Sequence, residues 1–196
     1  MKPSIFYRYY FFVIAGTVLF SGVPLAAQSS TAYTWNDGNR NHTIYIQPDQ
    51  IADFSGSTTG ITKNTADVQL IRRKGSVRIW KIKNTAMLRS LEKGIVPQAY
   101  RKFSSPVFSS NPGGGAVRAL PGNVFVSFKS DWKRTQIELF SAKNNLEIIS
   151  RLKLPGNIYL VKTNPGIDAL NLANKLRGLP GVVASYPDWW LEVSFR

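Results

Sequence analysis

Apolar and polar positions follow each other most regularly in the second half of the chain, from Gly122 to Trp190. Alternation with a period of two indicates strands, and apolar residues spaced three and four apart indicate helices. The pattern predicts six elements in the order β-α-β-β-α-β. They are strands at 124–129, 146–154, 158–162 and 182–186, a helix at 131–145, and a helix with Asn164 as N-cap and Pro165 in its first turn, ending before Gly178.

This order predicts two helices on one face of a four-stranded antiparallel sheet, which is the ferredoxin-like (βαββαβ) arrangement of an α+β protein. The tight turn Pro155-Gly156-Asn157 predicts that the two middle strands form an antiparallel hairpin. Ferredoxin-like sheets also bind metals, nucleotides and RNA, so the topology alone predicts no function.

Three pieces of this region occur together. They are the opening strand at 124–129, the hairpin at 151–162, and an ending in which a turn and a valine-led strand are followed by Pro187, Asp188 and Trp189. Through them the segment 122–190 resembles the propeptide of subtilisin-like serine proteases, particularly the fervidolysin-type N-terminal prodomain. The resemblance implies that the sheet face packs on two surface helices of the protease catalytic domain. It also implies that the chain after the last strand lies extended in the substrate cleft.

Carried over by position, the protease-binding segment comprises Trp189, Trp190, Leu191, Glu192, Val193, Ser194, Phe195 and Arg196. Strand addition would give it affinity through main-chain hydrogen bonds and specificity through alternate side chains. Trp189 and Trp190 have a second interpretation, in which they cap the core of their own sheet. Family propeptides are followed by a catalytic domain, whereas this sequence ends at Arg196. The resemblance therefore implies an inhibitor or folding assistant acting in trans or, alternatively, the remnant of a truncated or split protease precursor.

The first half is predicted to hold a shorter version of the same unit. Its elements are a hairpin around the turn at 36–39, a further strand at 50–54, a loop at 55–67, a hairpin at 68–82 and a helix at 85–93. Segment 68–83 aligns with 149–162, and 86–108 aligns with 169–190, which predicts an internal duplication whose degenerate first copy lacks most of its first helix. The expected organisation is an α+β subdomain at 32–110, a linker at 111–121, the propeptide-like domain at 122–190 and an extended tail at 191–196.

The first 27 residues are predicted to be a signal peptide. Lys2 and Arg8 precede an apolar run at 9–20, and small residues at 23–27 offer a cleavage site. The run is shorter than the roughly 20 residues that a spanning helix requires. We therefore expect a secreted, periplasmic or extracellular protein without a membrane span after cleavage, with an uncleaved N-terminal anchor as the alternative.

The composition argues against catalysis. The chain has no cysteine and one histidine, His42, so it lacks a thiol nucleophile and the histidine-containing motifs of a Ser-His-Asp protease. His42 lies beside an Asn-rich turn and is predicted to be a solvated or hydrogen-bonded surface residue. No glycine-rich loop with a phosphate-binding lysine is present. The expected protein is not an enzyme and has no cofactor or metal.

The net charge of +14 would attract acidic surfaces, nucleic acid or anionic lipid. The hairpin at 68–82 interleaves basic and apolar residues around Trp80, and 122–128 echoes part of an RNA-recognition signature, although on the first strand and not the third. Alternation of buried apolar and solvated basic residues explains the hairpin equally well. We therefore expect no nucleic-acid partner, and a basic envelope or nucleic-acid-binding module remains the alternative function.

Overall fold

The computed structural model describes residues 31–56, 60–61 and 63–192. The predicted signal peptide and Val193–Arg196 of the predicted tail lie outside these residues. The described chain is a mixed α+β structure with two mostly antiparallel sheets and three helices. The strands are β1 Ala32–Asn36, β2 Asn41–Asp53, β3 Val68–Lys74, β4 Val77–Ile82, β5 Ser104–Ser109, β6 Arg118–Ala119, β7 Val124–Phe128, β8 Ile148–Arg151, β9 Asn157–Val161, β10 Val182–Pro187 and β11 Trp190–Leu191. The helices are α1 Thr85–Glu92, α2 Arg134–Lys143 and α3 Ile167–Arg177.

The N-terminal sheet has the strand order β11-β6-β5-β2-β4-β3, with β1 also paired to β2. The sequence predicted two separate strands where the structure has the single long strand β2. Its register on β5 shifts between Gln47 and Ile51, a stretch that contains Pro48. Proline has no N–H to donate and is tolerated in a strand at a bulge. The bulge therefore lets one strand pass through the proline that, in the sequence, separates the two predicted strands.

This sheet is strongly curled. Arg72 of β3 forms an ion pair with Glu192, the residue after β11, although these strands lie at opposite ends of the strand order. The concave side encloses a small apolar cluster of Ala52, Val77, Ile79, Val107 and Ala119. The other side packs under α1 through a second cluster that includes Ile51, Trp80, Ile82 and Leu91. Both faces of the N-terminal sheet are thereby covered.

The C-terminal sheet has the strand order β10-β7-β9-β8, and all its pairings are antiparallel. Val124, Val126 and Phe128 alternate along β7 and are buried in the same cluster as residues of α2 and α3. The predicted hairpin forms between β8 and β9, with Gly156 in its turn at a φ of 95°. The period-two pattern thus placed β7, β9 and β10 correctly, with ends differing by a residue or two.

Both helices start later than predicted. Residues 129–132 form a turn, so α2 begins at Arg134 and not at 131. The N-cap of α3 is Gly166, at a φ of 79°, and Asn164 instead donates to Asp168 at 3.0 Å. The N–H of Gly166 donates to Leu120 O, and a Cβ there would lie 3.0 Å from Pro106. This close approach to β5 holds residues 164–166 out of the helix.

Four strands of the N-terminal sheet have the same order as the four strands of the C-terminal sheet. In the first half β5-β2-β4-β3 are adjacent, and in the second half β10-β7-β9-β8 occupy the corresponding positions. The segment 111–121, predicted to be a linker, contains β6, which pairs with β5 and β11. One core cluster contains Ile44 and Phe108 from the first half together with Leu170 and Leu176 of α3. The halves are therefore packed together, with α3 between the sheets. No helix in the described part of the chain is long and apolar enough to cross a membrane.

Candidate functional site

The C-terminal sheet presents one face away from its two helices. Because side chains alternate across a strand, residues paired with Phe125 and Ser127 of β7 point to this second face. Cross-strand pairing places Tyr186 and Leu160 on either side of Phe125, and Ala184 and Ile158 on either side of Ser127. The rings of Phe125 and Tyr186 lie 5.5 Å apart. We call these six residues the open face.

The open face is uncharged in a strongly basic protein. All six of its residues are partly exposed, and none of them carries a charge. Val183 and Ile149, in the strands at the two sides of the sheet, are 65% and 48% exposed. A contiguous apolar patch on a soluble domain commonly marks an interaction site, because leaving it in water is unfavourable. The open face is therefore the best candidate for a docking surface.

The open face was not predicted from the sequence, yet the sequence contains a signal for it. Ile158–Val161 is a continuous apolar run, and β7 has Phe125 between two buried valines. Uninterrupted apolar strands are typical of sheets that are covered on both faces. Here the helices cover one face of the sheet. The apolar residues on the second face indicate that a binding partner covers it.

The chain after β10 returns to the body. The N–H of Asp188 donates to Asn123 O at 3.3 Å, and burial raises the pKa of the Asp188 carboxyl. Trp189 is partly buried, with its ring 5.3 Å from Trp35 and 5.8 Å from Phe108. The guanidinium of Arg118 lies 5.8 Å from the Trp189 ring, and its own burial lowers the pKa of Arg118.

Trp190 and Leu191 form β11, which pairs with Ala119 and Arg118 of β6. Trp190 packs against the cluster inside the curled sheet, whereas Leu191 is 48% exposed. The N–H of Glu192 donates to Val117 O at 3.0 Å, and its carboxylate pairs with Arg72. Leu191 and Glu192, the first two residues of the predicted extended tail, are therefore docked on the body of the protein. The free edge of β6 offers unpaired backbone groups, and pairing with them satisfies both strands.

Trp189 packs on the core cluster that the two halves share, and Trp190 packs on the cluster inside the N-terminal sheet. The eight predicted protease-binding residues thus divide into two groups. Trp189, Trp190, Leu191 and Glu192 contact the body, and Val193, Ser194, Phe195 and Arg196 lie outside the described residues. If Trp189, Trp190, Leu191 and Glu192 contribute to binding a protease, they do so from positions in which they are packed on the body of the protein.

His42 is partly buried and hydrogen-bonded. Its ring stacks on Trp35 at a centroid distance of 4.7 Å, and its Nε2 lies 2.6 Å from Asp37 Oδ2. This hydrogen bond, with further ones from the backbone N–H groups of Arg40 and Asn39, holds the pKa of Asp37 well below its usual value. In the described part of the chain no group of three or more His, Cys, Asp or Glu side chains could hold a metal ion.

The hairpin of β3 and β4 presents fewer groups than its sequence suggests. Trp80 is only 2% exposed, which removes it as a platform for stacking bases. Arg78 is 3% exposed and donates to Asp53 at 2.8 Å inside the protein. The exposed basic side chains of the hairpin are Arg72, Arg73 and Lys74 of β3 and Lys81 of β4. This arrangement is typical of a solvated basic edge strand.

Comparisons of the chain with family models, with characterised proteins and with solved structures give no match.

Proposed function

We propose that this protein is a secreted, non-enzymatic, propeptide-like module that docks on the catalytic domain of a subtilisin-like serine protease, as an inhibitor or folding assistant. The single observation that carries the proposal is the uncharged open face of the C-terminal sheet. In the family that the sequence resembles, the corresponding face packs on two protein helices. An apolar sheet face without a cover fits that use better than it fits binding to a polyanion.

The fold assignment that goes with this function is a duplicated ferredoxin-like architecture. If β2 to β5 in the first half and β7 to β10 in the second half are each numbered 1 to 4 in chain order, both sets of four strands have the order 4-1-3-2. In the second half α2 connects the first two strands, whereas the described residues between β2 and β3 form no helix. This difference supports a first copy that has lost its first helix.

The curled first sheet explains why only one open face would be used. Its concave side is filled by its own residues and by Trp190, so this side is not open to a partner in the described part of the chain. The second copy keeps an open face and is the copy that carries the resemblance. We therefore propose that the first half stabilises the second half, and that the second half binds the protease.

The cleft-binding part of the proposal rests on the last four residues, Val193, Ser194, Phe195 and Arg196. The β6 pairing of β11 and the ion pair of Glu192 hold the chain just before them. A segment tethered in this way loses less conformational entropy on binding as an added strand than a free peptide would. Assistance in folding would follow from the same docking, because a partner that binds only the folded catalytic domain stabilises it.

The test measures the inhibition of a panel of subtilisin-type proteases by the purified protein, with a chromogenic peptide as substrate. We expect inhibition at micromolar concentration or below. Leu160→Glu, which places a carboxylate in the open face, should weaken inhibition by at least about tenfold. Leu139→Glu is the matched control, because Leu139 is 72% exposed on α2, on the helix side of the sheet. It should inhibit like the unaltered protein.

Truncation after Glu192 separates the two parts of the interface. Removing the last four residues leaves β11 and the ion pair of Glu192 in place, so thermal stability should be unchanged while inhibition falls. Absence of inhibition across the panel, together with salt-sensitive binding to anionic vesicles or to DNA, would instead support a basic surface module. A reading frame immediately downstream that encodes Asp, His and Ser triad motifs would identify the remnant of a split precursor.

A further inference from the structure

A groove lies on the helix side of the C-terminal sheet, between α2 and the strand β8. It encloses about 550 Å³, which is within the usual range for a binding pocket. Its apolar part is formed by Trp132, Ile137, Ile148 and Tyr159. The groove and the open face are on opposite sides of the sheet.

The groove adjoins a free sheet edge. β8 is the last strand in the order β10-β7-β9-β8, and one of its sides has no neighbouring strand among the described residues. An edge strand offers N–H and C=O groups that can pair with an added strand. Two apolar side chains at this edge are unusually exposed, Ile149 at 48% and Leu154 at 55%. They would be covered by a strand added to β8.

The charges around the groove favour an acidic occupant. Arg134 donates to Glu138 at 2.7 Å, so these two lining residues largely neutralise each other. Arg151 also lines the groove, and its guanidinium donates to Gly156 O, which is a neutral acceptor. Lys153 is exposed two residues further along the same edge. A peptide carboxylate could form a charge-assisted hydrogen bond with Arg151 that Glu138 does not provide.

We propose that β8 and α2 form a second binding site, which takes an extended acidic peptide segment of another protein as an added strand. The main chain of this peptide pairs with β8. A large apolar side chain enters the groove over Tyr159 and Ile137, and an acidic side chain two residues away, on the same face of the added strand, contacts Arg151. The alternation of strand side chains allows one face of the peptide to fill the groove while the other stays in solvent.

The test selects binders from a phage-displayed library of random peptides on the immobilised full protein, and then measures the selected peptides in solution. We expect the enriched peptides to combine an acidic residue with an aromatic or branched apolar residue. In NMR spectra their addition should shift the backbone amides of Ile148–Arg151. Arg151→Glu should weaken binding by about tenfold, because it replaces the charge-assisted hydrogen bond with repulsion.

Lys63→Glu is the matched control, since Lys63 is an exposed lysine in the loop before β3 and changes the net charge equally. It should bind the peptides as the unaltered protein does. The proposal is overturned if no peptide is enriched, if Arg151→Glu and Lys63→Glu weaken binding alike, or if the shifted amides lie on β3 or on the open face. None of these results depends on whether the protein inhibits a protease. The peptide site and the proposed docking on a protease are therefore tested independently.

Discussion

The carboxylate of Asp53 accepts a hydrogen bond from the guanidinium of Arg78 at 2.8 Å, and the two side chains are 0% and 4% exposed. The same carboxylate accepts hydrogen bonds from the backbone N–H groups of Ser55 and Ile61. Asp53 thereby joins the end of β2 to β4 and to the loop that follows. In the duplicated arrangement that we propose, this loop occupies the chain position of the missing helix.

Removing one partner of this buried pair should be costly. We expect Asp53→Asn to lower the free energy of unfolding by about 3–5 kcal/mol, because the buried guanidinium of Arg78 then loses the negative charge of its Asp53 partner. Urea denaturation of the variant measures the loss. The double variant Asp53→Leu/Arg78→Met is the control and should recover part of the stability. A loss below about 1 kcal/mol for Asp53→Asn would contradict the burial of this pair.

Gly181 and Gly156 allow a conformational effect to be separated from a packing effect. Their φ angles are nearly equal, at 92° and 95°. A Cβ on Gly181 would collide with the ring of Trp132, whereas a Cβ on Gly156 would meet nothing within 4 Å. We expect Gly156→Ala to cost about 1 kcal/mol of stability, from the backbone alone. Gly181→Ala should cost about 2 kcal/mol more, because the Trp132 ring must move.

Thermal denaturation of the two glycine variants provides the measurement. Equal losses would show that the Trp132 ring is not packed on Gly181 in solution. The near-ultraviolet circular dichroism of Gly181→Ala should also change, since Trp132 stacks on Phe128 at 5.7 Å.

Trp190 should behave as a core residue and not as part of a free tail. We expect Trp190→Ala to destabilise the protein by about 2–3 kcal/mol, somewhat less than the substitution of a fully buried tryptophan, since Trp190 is only partly buried. Leu191→Ala, in the same two-residue strand but 48% exposed, is the matched control and should change stability by less than about 0.5 kcal/mol. Similar small effects of both changes in urea denaturation would mean that β11 is not docked on β6.

The pair of Asp37 and His42 should contribute to stability in a pH-dependent way. The pKa of Asp37 is lowered in the folded protein, mainly by its hydrogen bond to His42. Its contribution is therefore present above the pKa of an unfolded aspartate, about 3.9, and is lost as the pH falls below that value. We expect Asp37→Asn to lower the melting temperature at pH 6 and to have a smaller effect at pH 3.

His42→Phe keeps an aromatic ring against Trp35 and removes the hydrogen bond, so it should flatten the acid limb of the stability profile in the same way. Melting temperatures measured from pH 3 to pH 7 test both changes. The loss of stability in the double variant should not exceed the sum of the losses in the two single variants, because both substitutions remove the same hydrogen bond. If the melting temperature of Asp37→Asn has the same pH dependence as that of the unaltered protein, the hydrogen bond between Asp37 and His42 does not contribute to stability.

Local patterns predicted the elements whose signals lie within a few residues. The hairpin of β3 and β4, the helix α1 and the hairpin of β8 and β9 each combine a clear period with a glycine turn or end, and all three form nearly where expected. The bulge at Pro48 was missed, because only the partner strand β5 shows that the two flanking segments continue one strand. The strands β6 and β11 were also not predicted, because each is two residues long and is stabilised by long-range pairing.

The candidate site was predicted less well than the fold. Sequence position pointed to the residues after Pro187, but the docking of Trp189 on Trp35 and Phe108 depends on contacts across more than 80 residues of chain. Predicting the open face would have required knowledge of the strand order, since Tyr186, Phe125 and Leu160 become neighbours only when β10, β7 and β9 are adjacent. The apolar runs indicated burial and did not indicate that one face would lack a cover.

The position of α3 has a consequence for how such a protein can change. Asn174 of this helix donates to Thr34 O of β1 at 2.9 Å, while Leu170 and Leu176 on the same helix are buried in the shared cluster. Deleting or exchanging either half by recombination would expose apolar surface of α3. The stability of each half therefore depends on the other through this one helix.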